Sequence, residues 1–158
     1  MAPVVLTAAS TAATSVSTSQ MFASEFFGTF LLILFGGGVC AAVTLPKSKA
    51  KASGWIVIAF GWGIAVMVGV YAAYLTGGHL NPAVTLGLLA AGRDLAANIP
   101  ATATNVSVYI AAQFLGAFLG GVAVWLAYKT HFDAEAPAAD KLGIFSTAPA
   151  IRSYGWNV

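Results

Sequence analysis

Charge is the scarcest feature of this sequence. Asp, Glu, Lys and Arg make up 8% of its 158 residues against 59% hydrophobic ones, where a soluble domain carries about a quarter charged residues. The net charge of +2 rests on too few groups to build a nucleic-acid surface, and no basic cluster is interleaved with aromatics, so nucleic acid is excluded as a partner. Cysteine occurs once, at Cys40, which excludes both an intrachain disulfide and a cysteine metal site. Lying in an apolar segment, Cys40 reads as a small buried side chain. The two histidines, His79 and His131, have no ligands at metal spacing, and no nucleophile stands in a triad context. The sequence therefore indicates no enzyme, no metal and no cofactor. Residues 1–20 carry no charge at all. A secretory leader needs a basic n-region, so this stretch reads as a disordered tail.

Long apolar runs are abundant, and the mean hydropathy is +0.84. Residues 22–43, 55–75 and 106–128 would each form roughly 30–35 Å of helix, enough to cross a hydrocarbon core about 30 Å thick. An all-α membrane protein is the fold class expected. Trp55 sits at the edge of the second span, with Tyr71 and Tyr74 near its far end, as interfacial aromatics do. Gly61, Ala65, Gly69 and Ala73 in that span, and Ala112, Gly116 and Gly120 in the third, form small-residue stripes that let helices approach closely in lipid. Two polar side chains interrupt these spans. Glu25 is costly there and is a functional candidate by default; Gln113 needs a hydrogen-bond partner, for which a buried loop is the natural choice. The sequon Asn105-Val106-Ser107, at the edge of a span, is read as incidental.

Between the second and third spans lies Thr76-Gly77-Gly78-His79-Leu80-Asn81-Pro82-Ala83-Val84-Thr85. The apolar run after it ends near residue 91, giving roughly 15 Å of helix, half a membrane. Gly77 and Gly78 allow left-handed or extended backbone, Asn81 is a favoured N-cap, and Pro82 suits the first helical position, followed by Ala83. Irregular backbone at membrane depth is tolerated only where protein buries it or it lines a water-filled cavity. Residues 76–91 are thus expected to form a re-entrant pore loop and half-helix. An N-cap Asn accepts from the helix backbone with its oxygen and keeps its NH2 group free as an uncharged donor. The positive helix end disfavours cations, so the site suits a neutral, hydroxylated permeant.

The stretch from Gly77 to Thr85 resembles the first Asn-Pro-Ala signature of the aquaporin and glycerol-facilitator family. Supporting matches run through Ala23-Ser24-Glu25-Phe26-Phe27-Gly28-Thr29, Gln113-Phe114-Leu115-Gly116-Ala117 and Phe145-Ser146-Thr147-Ala148-Pro149. The resemblance implies that Asn81 donates to the permeant, that carbonyls of Gly77, Gly78 and His79 accept from it, and that Leu80 belongs to the same lining. It implies a bracing role for Glu25, with Gln113 as further loop support. Trp62 resembles the Trp of the glycerol facilitators' constriction. Counting back from His79 places that match on Gly61 unless one residue fewer intervenes, and the match over residues 66–71 supports the shorter spacing. Trp62 and the long connection over 129–153 tilt the expected permeant toward glycerol, with water also passing. The alternatives are a water-selective channel and a non-conducting membrane subunit.

In the family two inverted repeats enclose the pore. Residues 21–158 match one repeat, with the opening of a fourth span from about 154, and contain a single Asn-Pro-Ala. A longer protein, a second polypeptide or an oppositely oriented copy would supply the rest. The resemblance further implies a multi-pass protein of the cell (plasma) membrane, a homotetramer of complete channels, and as partners the lipid bilayer and the permeants, glycerol and other small neutral solutes together with water. Charge conflicts with the family's orientation: Lys47, Lys49, Lys51, Lys129, Lys141 and Arg152 fall on one side and only Arg93 on the other, which by the positive-inside rule puts the amino terminus outside. The family's cytoplasmic amino terminus is the orientation adopted.

Overall fold

A computed structural model describes residues 15–147, 149, 151 and 153–156. The first helix, α1, spans Thr18–Thr44. It begins earlier than the tail expected over 1–20 allows, because Ser17 and Gln20 close a capping box: the Gln20 N–H donates to Ser17 Oγ (3.3 Å) and the Ser17 N–H to Gln20 Oε1 (2.9 Å). Two otherwise orphaned donors are satisfied there, so residues 18–20 are helical. Residues 1–14 of that tail lie outside the described residues. At the other end Leu45 turns extended ahead of Pro46, which ends the helix.

Helix α2, Trp55–Ala72, stops short of the expected residue 75. The chain instead tightens into a 3-10 turn over Tyr74–Thr76 and leaves it through Gly77 in the left-handed region (φ 78°). Helix α3, Pro82–Ala90, is the half-length helix. Helix α4, Ala103–Ala127, starts at a Thr102 cap whose hydroxyl accepts from the Asn105 N–H at 3.2 Å. The long polar connection after it contains two short helices, α5 (Lys129–Asp133) and α6 (Ala138–Leu142). His131 Nδ1 lies 2.9 Å from the Pro46 carbonyl and ties this connection to the loop after α1. The fourth span expected from about 154 falls on a turn at 154–156 and on residues 157 and 158, which lie outside the described residues, as do Ala148 and Arg152.

Among the described residues three helices, α1, α2 and α4, are long and apolar enough to cross a membrane. With α3 they make an all-α fold of three spans and one re-entrant half-helix. Helix α1 is the hub, packed most extensively on α4 and next on α2, while α3 lies against α4. Small residues make these crossings possible. A Cβ on Gly116 would stand 2.4 Å from the Phe26 carbonyl oxygen, and one on Gly28 would stand 2.8 Å from that of Gly69, so backbones meet where side chains usually separate them. The stripe on α2 faces α1: Ala65, Gly69 and Ala73 are buried, and Gly61 abuts Val39. Two apolar clusters close the bundle. Met21, Leu95, Ile99, Val106 and Tyr109 pack at one end; Ala41, Leu45, Val124, Phe132 and Ile144 pack at the other. Large side chains such as Phe60, Tyr71, Phe114 and Phe118 stay exposed, as lipid permits and water does not.

Gly116→Ala is expected to lower stability by about 1–3 kcal/mol, because the new methyl has only backbone to push against. Gly63→Ala, with no atom from outside its own stretch of helix within 4 Å of its Cβ position among the described residues, is expected to be neutral or to gain up to about 1 kcal/mol. Thermal unfolding in detergent, followed by tryptophan emission, compares the two.

Candidate functional site

The loop from Gly77 to Asn81 is held from inside the bundle by one side chain. Glu25 is fully buried on α1, and each of its oxygens receives two donors. Oε1 accepts from the Thr76 hydroxyl (2.8 Å) and the His79 N–H (3.0 Å); Oε2 accepts from the Leu80 N–H (2.9 Å) and Gln113 Nε2 (2.8 Å). Three N–H donors and one hydroxyl converge on the carboxyl group, and hydrogen bonds to a carboxylate are the strong kind. Gln113 braces the carboxylate rather than the loop backbone, and it also donates to Thr85 Oγ1 at 3.1 Å. Its own Oε1 is buried with no partner among the described residues.

The His79 side chain is buried within the bundle. Nε2 lies 2.8 Å from the Leu95 carbonyl, which can only accept, so Nε2 carries the proton. Nδ1 then accepts from the Thr85 hydroxyl at 2.9 Å. The ring rests against Tyr109, with centroids 4.9 Å apart, and the Tyr109 hydroxyl donates to the Thr76 carbonyl at 3.1 Å. The Leu80 side chain is buried as well, wedged toward Gly28 and Gly69. Its backbone takes φ 55°, which a non-glycine residue rarely adopts. Of the residues expected to line a pore, His79 and Leu80 therefore turn their side chains inward and have only backbone to offer. Gly77 and Asn81 are exposed, and Gly78 is half-buried.

Hydrogen bonding sorts the loop into two faces. The N–H groups of Gly77 and Gly78 donate to Tyr74 and Ala73 carbonyls, and those of His79 and Leu80 donate to Glu25. The carbonyls of Gly77, Gly78 and His79 accept from no described residue. At the end of the loop Asn81 caps α3, its Oδ1 accepting from the Ala83 N–H at 2.8 Å with Pro82 in the first turn. Its Nδ2 has no partner among the described residues. The arrangement offers a row of neutral acceptors ending in a neutral donor, a set that can replace the hydration of a hydroxyl group, while the positive end of α3 beside Asn81 disfavours a cation. Among the described residues no three metal-ligating side chains come together.

Trp62 stands apart from this loop. Leu80 touches Gly69, seven positions or roughly 10 Å along α2 from Trp62. Gly61 is turned to α1, whereas Trp62 lines a cleft of about 940 Å³ between α1, α2, α4 and the segment after α6. Cys40, expected to be buried, is half-exposed on the same cleft. Sequence reasoning assigned no role to Thr76, Thr85 or Tyr109. The first two were visible as hydroxyls bounding the loop stretch. Tyr109 lies one turn before Gln113 on the buried face of α4, and that spacing was its only signal.

A capped half-helix and its loop, clamped inside spanning helices, define a class of membrane protein with a re-entrant loop. The sequence profile of the Major intrinsic protein family, MIP, matches residues 12–152, and the chain belongs to that family. It is similar to "Glycerol uptake facilitator protein 3" of Lactiplantibacillus plantarum, with 51% identity over 84% of this chain and 53% of the relative. It is also similar to the "Glycerol uptake facilitator protein" of Streptococcus pneumoniae (strain ATCC BAA-255 / R6), with 52% identity over 81% of this chain and 52% of the relative. The "Probable glycerol uptake facilitator protein" of Thermotoga maritima matches at 45% identity over 88% of this chain and 57% of the relative. The chain thus spans about half the length of these relatives.

Glu25→Gln puts an NH2 group where the carboxylate receives donors. It is expected to cost at least about 3 kcal/mol and to speed amide exchange at His79 and Leu80 more than elsewhere. Hydrogen exchange read by mass spectrometry over residues 76–85 checks both the size and the place of the effect.

Proposed function

We propose that the chain is one repeat of a passive membrane channel for glycerol and other small neutral solutes, with water also passing. The observation that carries this reading is the two-faced loop: three consecutive carbonyls, followed by the Nδ2 of Asn81, all without partners among the described residues. Such a set suits molecules that both donate and accept through hydroxyls, and flow down a gradient needs only that lost hydration be replaced. The names of the relatives point to glycerol in particular. Trp62 in its apolar cleft would supply a wall for the carbon backbone of the solute. Glu25 and Gln113 support the loop, Pro82 and Ala83 open the half-helix, and Gly77, Gly78, His79, Leu80 and Asn81 form the lining.

On this reading residues 21–158 form a first repeat, and the pore is completed by a second repeat or by further copies of the chain. The working unit is a homotetramer of complete channels in the plasma membrane. The protein is a channel rather than an enzyme and uses no cofactor.

Stopped-flow light scattering of liposomes carrying the chain tests the reading, with glycerol and water gradients run separately. Asn81→Asp keeps the cap and adds a charge, so glycerol flux in the conducting assembly is expected to fall roughly tenfold or more, equivalent to at least about 1.4 kcal/mol on the barrier. Unchanged flux would contradict the proposed role of Asn81.

A further inference from the structure

The cleft wall contains a contact that the loop chemistry does not use. We propose that Gly36 and Cys40 of α1 form a seat that sets how Trp62 faces the cleft, and that through Trp62 this seat favours carbon-bearing polyols over water. The inference rests on the channel reading and adds its selectivity device. Gly36 and Cys40 are one helical turn apart and point the same way. A Cβ on Gly36 would stand 2.3–2.5 Å from Cζ3, Cε3 and Cη2 of Trp62, so the six-membered ring occupies a notch that only glycine leaves open. At the other edge of the indole, Nε1 donates to Cys40 Sγ at 3.3 Å.

Tryptophan has one hydrogen-bonding group, a donor, and here the thiol takes it. What remains for the cleft is carbon. Ile33, Ile58, Phe118 and Phe145 line the same space, whose wall also carries Thr44, Ser146 and Thr147, so water passing the indole itself meets no partner there, whereas the CH groups of a polyol find apolar surface. An indole left free to turn would present its N–H and give water a donor. Gly36 and Cys40 are therefore positioning residues, acting only through Trp62. Sulfur is a weak acceptor, which makes the setting adjustable: a hydroxyl at position 40 keeps the donor occupied, and a methyl releases it.

The test separates the seat from its effect. Thiols quench an indole in contact, so the Trp62 contribution to emission, taken as the difference between parent and Trp62→Phe chains in liposomes, is expected to rise in Cys40→Ala. The glycerol-to-water permeability ratio of the conducting assembly is expected to fall roughly threefold in Cys40→Ala, the scale of one modest hydrogen bond, and to recover in Cys40→Ser. Gly36→Ala is expected to lower the ratio in the parent and to have no further effect when combined with Trp62→Leu. An unchanged Trp62 emission in Cys40→Ala would overturn the seat. Changed emission with an unchanged ratio would overturn the selection while leaving the seat. If Trp62→Leu leaves glycerol flux and its ratio to water untouched, the placement of Trp62 at the constriction falls, and the proposal falls with it.

Discussion

Everything distinctive about this fold depends on one buried carboxylate. Glu25 has no exposed surface and meets four donors from three separate parts of the chain: the turn before the loop, the loop backbone and α4. A charge in such a place is costly unless it is saturated with hydrogen bonds, and the loop backbone supplies two of the four, with the Thr76 hydroxyl and the Gln113 amide supplying the others. The requirement runs both ways. The loop has no sheet or helix ladder to hold its N–H groups, and the carboxylate takes two of them. Once the donors are turned inward, the carbonyls of the same peptides are left without partners.

Close packing makes that contact possible. Glu25 and the loop can meet only if α1, α2 and α4 lie against one another with little between them, and glycines at the crossings provide this. Gly28 and Gly69 bring α1 to α2 beside Leu80, and Gly116 brings α4 onto the backbone of α1 next to Gln113. Beyond the carboxylate, the Thr85, His79 and Tyr109 contacts fix the far side of the loop. The left-handed backbone at Leu80 is tolerated because its side chain is wedged in the gap that two glycines leave. Rigidity of this kind is what a channel proposal needs, since a loop that replaces hydration has to stand ready before the solute arrives.

Features that depend on local backbone chemistry were legible in the sequence. Gly77 and Gly78 marked the turn, Asn81 and Pro82 marked the cap, and the short apolar run after them marked a half-length helix. Glu25 and Gln113 stood out because polar groups are rare in apolar segments, and both face the loop site. What could not be read was chosen by three-dimensional crossing. Tyr109 looks ordinary in sequence and Thr85 shows only as a hydroxyl at the edge of the loop stretch, and their roles exist only because α4 passes behind the loop. His79 and Leu80 belong to the loop by position, yet packing decided that their side chains turn inward. The early start of α1 was missed for a different reason: an uncharged stretch without a basic n-region suggested a tail, and the reciprocal bonds of Ser17 and Gln20 overrode its composition.

The most direct test of this account replaces Glu25 with aspartate. The charge and the acceptors remain, and the side chain shortens by one methylene, so the carboxylate can no longer reach both the loop amides and Gln113 from its place on α1. Glycerol flux in the conducting assembly, measured by light scattering, is predicted to be lost in a chain that still inserts and folds. Flux equal to that of the parent would contradict the claim that this carboxylate positions the loop.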